Sequence, residues 1–303
     1  MTDLASHMSH PEVVAKTSIR ALTSIEARRY MGRLAIWVGL AGTIALMVGR
    51  GPKPDESWSG ETYVNVVPLN FLPLTIGAFI AALRIGGTDR AASPAGVAEG
   101  APLDADQRSL ARLAGLVVPV TLSIVVVIVV AIASRVEGGF WIGEAPRRTN
   151  SALHSFVELM QPPLLITVAG ASGVALGRTF RRRAPSMVAG AVFWFLAFGL
   201  SWAFNIAGGH ALAAVQLQPM RINLPRTTDP TLLPADWFVT TPNEYDGWQR
   251  MLVHLPTVFW HNVYLLGFAI LWGGFAIRRA RPALGGLGVA AIGVSAQLIV
   301  SPF

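Results

Sequence analysis

No cysteine occurs in the 303 residues, which excludes disulfides, thiolate metal sites, iron–sulfur clusters and a cysteine nucleophile. Lysine is nearly absent as well. Lys16 and Lys53 are the only two, and neither stands in the Gly-Lys-Ser/Thr setting in which backbone amides and a lysine cradle phosphates. The chain is therefore not expected to hydrolyse ATP itself. With no lysine after Lys53, a retinal Schiff base in a late span is also excluded. Charged residues make up 14% of the chain, well below the roughly 25% usual in soluble domains. What fills their place is apolar: 52% hydrophobic residues, 30 glycines and a mean hydropathy of +0.50. That composition describes a membrane protein. It excludes a secreted scaffold, a disordered tail and a soluble nucleic-acid binder, despite a net charge of +7.

A charge at the bilayer centre costs several kcal/mol, so stretches free of Asp, Glu, Lys and Arg locate the spans. Seven qualify: 34–47 with its flanks, 62–83, 113–134, 159–177, 184–220, 251–277 and 282–303. At 1.5 Å per residue, 113–134 extends about 33 Å against a hydrocarbon core of about 30 Å. In 184–220 the reading is a helix over 187–206, followed by an interfacial or re-entrant piece over 208–220. The expected fold is an all-α polytopic bundle of six to seven transmembrane helices. Its domains are an N-terminal segment, 1–33, and a membrane domain, 34–303.

Sidedness follows from lysine and arginine. With the N-terminus in the cytoplasm, 16 of the 24 fall inside, whereas the 17 carboxylates divide 7 inside and 10 outside. Trp58, Trp141, Trp237, Trp248 and Trp260 fall on the outer side or at its interface, as an aromatic belt would. The polar segment 1–33 does not read as a cleavable signal, so the first span is expected to act as its own anchor.

Three polar regions are candidates for function. Before the first span, Thr23 and Glu26 fit a capping box, and Arg28, Arg29 and Arg33 follow, which predicts a helix at the inner surface. The internal loop 84–112 has turn-forming clusters before a helical stretch from Asp104 onward, and a partner is expected to dock there. The outer segment 207–250 carries Pro219, Pro225, Pro230, Pro234 and Pro242, which argues against a long regular element. It is rich in Trp, Leu and Phe and is expected to pack over the membrane exit.

His254 and His261 stand seven apart, yet no carboxylate inside the spans completes a metal site, so interfacial histidines with local hydrogen bonds are expected. A run from Gly170 through Ser172 and Gly173 to Gly177 matches the Gly-x-Ser-Gly-x-x-x-Gly of rhomboid intramembrane proteases. A protease would need Ser172 beside a histidine near the outer face. Six residues before Arg178, Ser172 belongs at the inner end, and Gly173 and Gly177 read as a close helix-packing face with Ser172 bonded in its own helix. No catalytic, cofactor or metal-binding residue is expected.

The order of parts resembles the permease subunits of type-2 ABC exporters, particularly their actinobacterial branch. Glu26-Ala27-Arg28-Arg29-Tyr30 is similar to the acidic-then-basic lead-in to their first span. Gly87-Thr88-Asp89, then Pro102-Leu103-Asp104 and Arg108-Ser109-Leu110, resemble the loop before their third span. Residues 173–178 and 261–267 resemble the end of their fourth span and the start of their sixth. The resemblance implies a transmembrane subunit of a bacterial plasma membrane, dimeric with itself or with a sister permease. It implies separate ATPase subunits, which carry the ATP and magnesium, and the outward movement of a hydrophobic or amphipathic substrate or lipid. Thr88, Asp89, Pro102, Leu103, Asp104 and Arg108 would then belong to the ATPase-coupling loop, and Glu26, Arg28 and Arg29 to the supporting interfacial helix. No nucleic-acid partner is implied. Two features depart from the family: Asp104 and Asp106 in the coupling region, and a seventh apolar stretch over 282–303 that would carry the C-terminus outside. A non-transporting membrane anchor or immunity protein is the third reading.

Overall fold

The computed structural model describes residues 11–49, 70–88, 104–142, 149–180, 182–200, 214–217, 222–223, 238–243, 247–252 and 255–300. Ten α-helices run through them: α1 Pro11–Met31, α2 Leu34–Gly49, α3 Leu72–Gly86, α4 Ala105–Ala114, α5 Val117–Val136, α6 Phe156–Leu159, α7 Gln161–Thr179, α8 Arg183–Trp194, α9 Leu255–Ala276 and α10 Ala280–Val300. A π-helical segment, Phe195–Leu200, continues α8. The bundle is helical, as its composition requires. Strands lie outside it, in an antiparallel pair of β1 Phe140–Ile142 with β2 Thr149–Ala152 and in a three-stranded sheet. In that sheet β5 Gly247–Leu252 lies between β3 Ile222–Asn223 and β4 Phe238–Asn243. The expectation that 207–250 holds no long regular element stands beside a hairpin of two short strands, six residues each, in its described part and just beyond it.

Four helical stretches among the described residues are long and apolar enough to cross a membrane: 105–136, 156–179, 255–276 and 280–300. A fifth is counted if α2 is joined to the end of α1 across a 57° bend. The chain is a helical membrane protein. Apolar α3 and α8 are shorter, so the sequence expectation of six to seven spans is met in full only if both also cross.

Local chemistry explains the helix ends. Pro73 enters α3 in its first turn, where a missing N–H costs nothing, and Thr43 of α2 accepts the Leu74 amide at 3.2 Å. Pro162 and Pro163 likewise fall in the first turn of α7, directly after α6. Pro119 sits in the first turn of α5 for the same reason. The valine- and isoleucine-rich α5 would favour a strand in water. A lone strand in hydrocarbon leaves its backbone unpaired, so the helix wins. Its buried residues, Ser123, Val126, Val127, Val130 and Ser134, follow one face, while Val125, Ile128, Val129 and Ile132 are exposed.

Helix α7 is the centre of the bundle. Fifteen of its 19 residues are buried, against six of 20 in α5 and five of 21 in α10. It runs parallel to α3, with Gly86 against Val174 and Gly173 against Phe79 and Ala82. A Cβ on Gly177 would collide with the Leu83 carbonyl, so the Gly173 and Gly177 face is a close-packing surface, as read from the sequence. Helices α9 and α10 form an antiparallel hairpin through Gly267, Gly274, Gly286 and Gly293. The seven-residue spacing in each helix holds the small residues on one face. Gly286 and Gly293 are therefore the packing residues of the last apolar stretch, whereas Gly285 and Gly288 face open space. Between these two helices Arg278 takes the left-handed conformation, φ 51°, and the Arg279 N–H returns to the Gly274 carbonyl at 3.0 Å.

Candidate functional site

The end of the bundle that holds α1 gathers charged side chains from three helices, α1, α4 and α7. Helix α4 is the middle of this assembly. Asp104 caps it reciprocally with Gln107: the Gln107 N–H donates to Asp104 Oδ1 at 2.6 Å, and the Asp104 N–H donates to Gln107 Oε1 at 3.0 Å. Ten residues with Ser109, Ala111 and Arg112 buried and Asp104, Ala105 and Leu110 exposed make a short amphipathic rod.

Arg112 is the fully buried anchor of that rod. Its Nη2 donates to the Thr88 hydroxyl at 3.2 Å, and its Nη1 lies 3.5 Å from the Gly86 carbonyl at the end of α3. Its Nε stands 3.9 Å from Glu26 Oε1 of α1, with both side chains 2% exposed. Arg29 donates to the same Glu26 oxygen at 2.9 Å from a half-exposed position. Thr88 in turn donates to the Ile85 carbonyl at 2.8 Å, so one hydroxyl ties the α3 terminus to α4. Tyr30 is buried one turn beyond Glu26, against Gly115 at the junction of α4 and α5. Burial, with the Glu26 charge beside it, pushes its phenol well above the ordinary value and keeps it neutral.

The second tie runs from α4 to the bundle centre. Arg178, in the last turn of α7, donates to Asp106 Oδ1 at 2.8 Å and to the Ala276 carbonyl at the end of α9. Arg112 and Arg178 thus connect α4 to α1, α3, α7 and α9. Two buried guanidiniums supply several donors each in a fixed planar geometry, which holds carboxylates and carbonyls more rigidly than lysine would.

The sequence expectations fall as follows. Glu26, Thr88 and Asp104 all belong to this assembly, and Arg29 reaches it from the surface. Arg28 is exposed, and Arg108 is half-buried on α4. Asp89, Pro102 and Leu103 lie outside the described residues, as does most of 207–250. The capping box read at Thr23 and Glu26 is not one. Helix α1 starts at Pro11 and passes straight through both positions, and Glu26 turns inward to Arg112 instead. Asp106, a departure from the expected pattern, is the acceptor for Arg178. Arg112 and Arg178 were missed as site residues because each borders an apolar stretch, where a snorkelling flank has the same appearance.

The opposite end of the bundle is held by other means. Asn262 of α9 donates to the Val157 carbonyl at 2.8 Å, and Tyr264 donates to the Val215 carbonyl at 2.6 Å. Gln297 of α10 donates to the Ala214 carbonyl at 3.3 Å and meets His261 Nδ1 at 3.2 Å through its side-chain oxygen. The described part of 208–220 therefore packs back onto α9 and α10. His254 lies outside the described residues. Ser172 is fully buried and donates to Ala169 of its own helix at 3.0 Å. Among the described residues no group of three or more His, Asp or Glu side chains is arranged to hold a metal ion.

Comparison with protein-family models, with curated proteins and with solved structures finds no match.

Proposed function

We propose that the chain is the transmembrane permease of an ATP-driven exporter, of the type-2 ABC kind that its order of parts resembles, with its α1 end in the bacterial cytoplasm. The observation that carries this reading is α4. A short, capped, amphipathic helix lies on the loop between the second and third apolar stretches and is fastened by buried arginines to the ends of α3, α7 and α9. A separate ATPase subunit that presses on its exposed Asp104, Ala105 and Leu110 would move α4 as a rigid body. Arg112 and Arg178 would pass the displacement to three helices at once. Excess positive charge on the same side of the chain agrees with a cytoplasmic docking face. The partner supplies ATP and magnesium, and this chain supplies the path for an apolar or amphipathic substrate.

The rhomboid-like reading requires Ser172 to be activated by a histidine, whereas its hydroxyl is bonded to Ala169 and His261 is bonded to Gln297. The test is affinity purification of the intact chain in mild detergent from its own host. The expected result is a co-purifying ATPase subunit and ATP hydrolysis by the complex. Replacement of 102–108 by a flexible Gly/Ser linker should leave insertion intact and abolish stimulation of that activity. A chain that purifies alone, with no ATPase able to act with it, overturns the proposal.

A further inference from the structure

At the end of the bundle remote from α1, a groove of about 330 Å³ opens between the last three turns of α5 and the α6–α7 segment. Its length is lined by Ile124, Ile128 and Ala131 on one side and by Phe156 and Pro163 on the other, with Arg135 at the polar end. Ile128 and Phe156 are exposed, so the groove is open sideways to whatever surrounds the bundle. From Ile124 to Arg135 the helix rises about 17 Å, close to half of a hydrocarbon core of about 30 Å, and so spans one leaflet. The volume lies near the lower bound of small-molecule pockets, about 300 Å³, which suits a single chain.

Charge selects the occupant. Arg135 lies in the next-to-last position of α5, where a helix that crosses the hydrocarbon core would reach the lipid phosphates, and among the described residues no carboxylate pairs with it. Within the lining, His154 is the only other ionisable group, and its neighbour Glu158 already accepts the Ser155 N–H at 2.6 Å and meets His154 at 3.3 Å. Glu137, two residues beyond Arg135, is exposed outside the groove. The geometry points to a binding site for an anionic phospholipid of that leaflet, one acyl chain lying along Ile124 to Ala131 and the phosphate meeting Arg135. This inference needs only the bundle in a bilayer and stands or falls apart from the exporter reading.

The test uses the full chain in phosphatidylcholine nanodiscs doped with a phosphatidylglycerol carrying a photoreactive acyl chain, against the matched phosphatidylcholine probe. Adducts are expected on Ile128, Phe156 and their neighbours, with phosphatidylglycerol preferred by about fivefold, as one basic side chain at the surface would give. Arg135→Gln, at an exposed position, should remove that preference with elution and helix content unchanged. Ala131→Trp should lower labelling by both probes. Equal labelling by the two probes, or a preference that survives Arg135→Gln, overturns the proposal. Displacement of the lipid probe by soluble glycerol phosphate would also overturn it, by assigning the site to a free anion.

Discussion

The two ends of the bundle are joined by different chemistry. At the α1 end, buried arginines pair with Glu26 and Asp106 across elements far apart in sequence. At the other end, neutral side chains reach backbone carbonyls: Asn262 to Val157, Tyr264 to Val215 and Gln297 to Ala214. A buried ion pair tolerates loss of a partner badly, because the remaining charge has no solvent, whereas a neutral hydrogen bond within a membrane protein contributes little. The α1 end is therefore the rigid, brittle end, suited to passing on a displacement. At the opposite end the ties between elements are neutral, and the buried pair of Glu158 and His154 lies within four residues of one segment.

The largest expected effect comes from breaking the charge assembly. Glu26→Ala should destabilise the protein by about 3 kcal/mol by leaving Arg112 buried without its carboxylate, read as a lowered midpoint of thermal unfolding in detergent. Replacing both Glu26 and Arg112 by methionine should recover most of that loss. A double variant as unstable as the single one would contradict the assignment of the cost to an orphaned charge.

Close packing comes next. A Cβ at Gly77 would collide with the Ala35 carbonyl of α2, and Gly77→Ala should cost about 2 kcal/mol as the backbone shifts. Gly288 lies on the open face of α10, where an added methyl would meet no atom within 4 Å, so Gly288→Ala should stabilise by up to about 1 kcal/mol. Comparison of the two unfolding midpoints checks both signs. Smaller still is Gln297→Leu at the neutral end, expected to cost about 0.6 kcal/mol and no more than about 1.7. Ser172→Ala should leave both stability and activity unchanged within about 0.5 kcal/mol. Loss of activity with normal unfolding would return Ser172 to the set of reacting groups.

Much of the bundle was legible because hydrocarbon imposes a simple rule on sequence. Among the described residues most of each charge-free stretch is helical, and the Gly173 and Gly177 spacing marked the packing face of α7. Asp104 marked the start of α4 for an equally local reason, since a cap needs only its own next three residues. The fate of Glu26 was not local. Its spacing from Thr23 fits a helix start, and only the crossing of α1 over α4 reveals that its partner is Arg112, 86 positions away. The same holds for Arg178 and Asp106, 72 apart. Long-range pairing of charges depends on which helices cross, and a single sequence carries no record of that. The hairpin of β4 and β5 was hidden by the prolines around it, which argue against long elements and say little about strands of six residues.

Because the chain has no cysteine, a single one placed at a chosen position reports without background. The most direct test of a coupling role for α4 places Ala105→Cys on the exposed start of that helix and Leu153→Cys at the opposite end, each treated in the native host with a cysteine-to-amine crosslinker. A coupling helix predicts that Ala105→Cys joins a nucleotide-binding subunit, with a yield that changes when ATP is trapped, and that Leu153→Cys does not. No adduct to such a subunit from Ala105→Cys, or the same adduct from both positions, would contradict it.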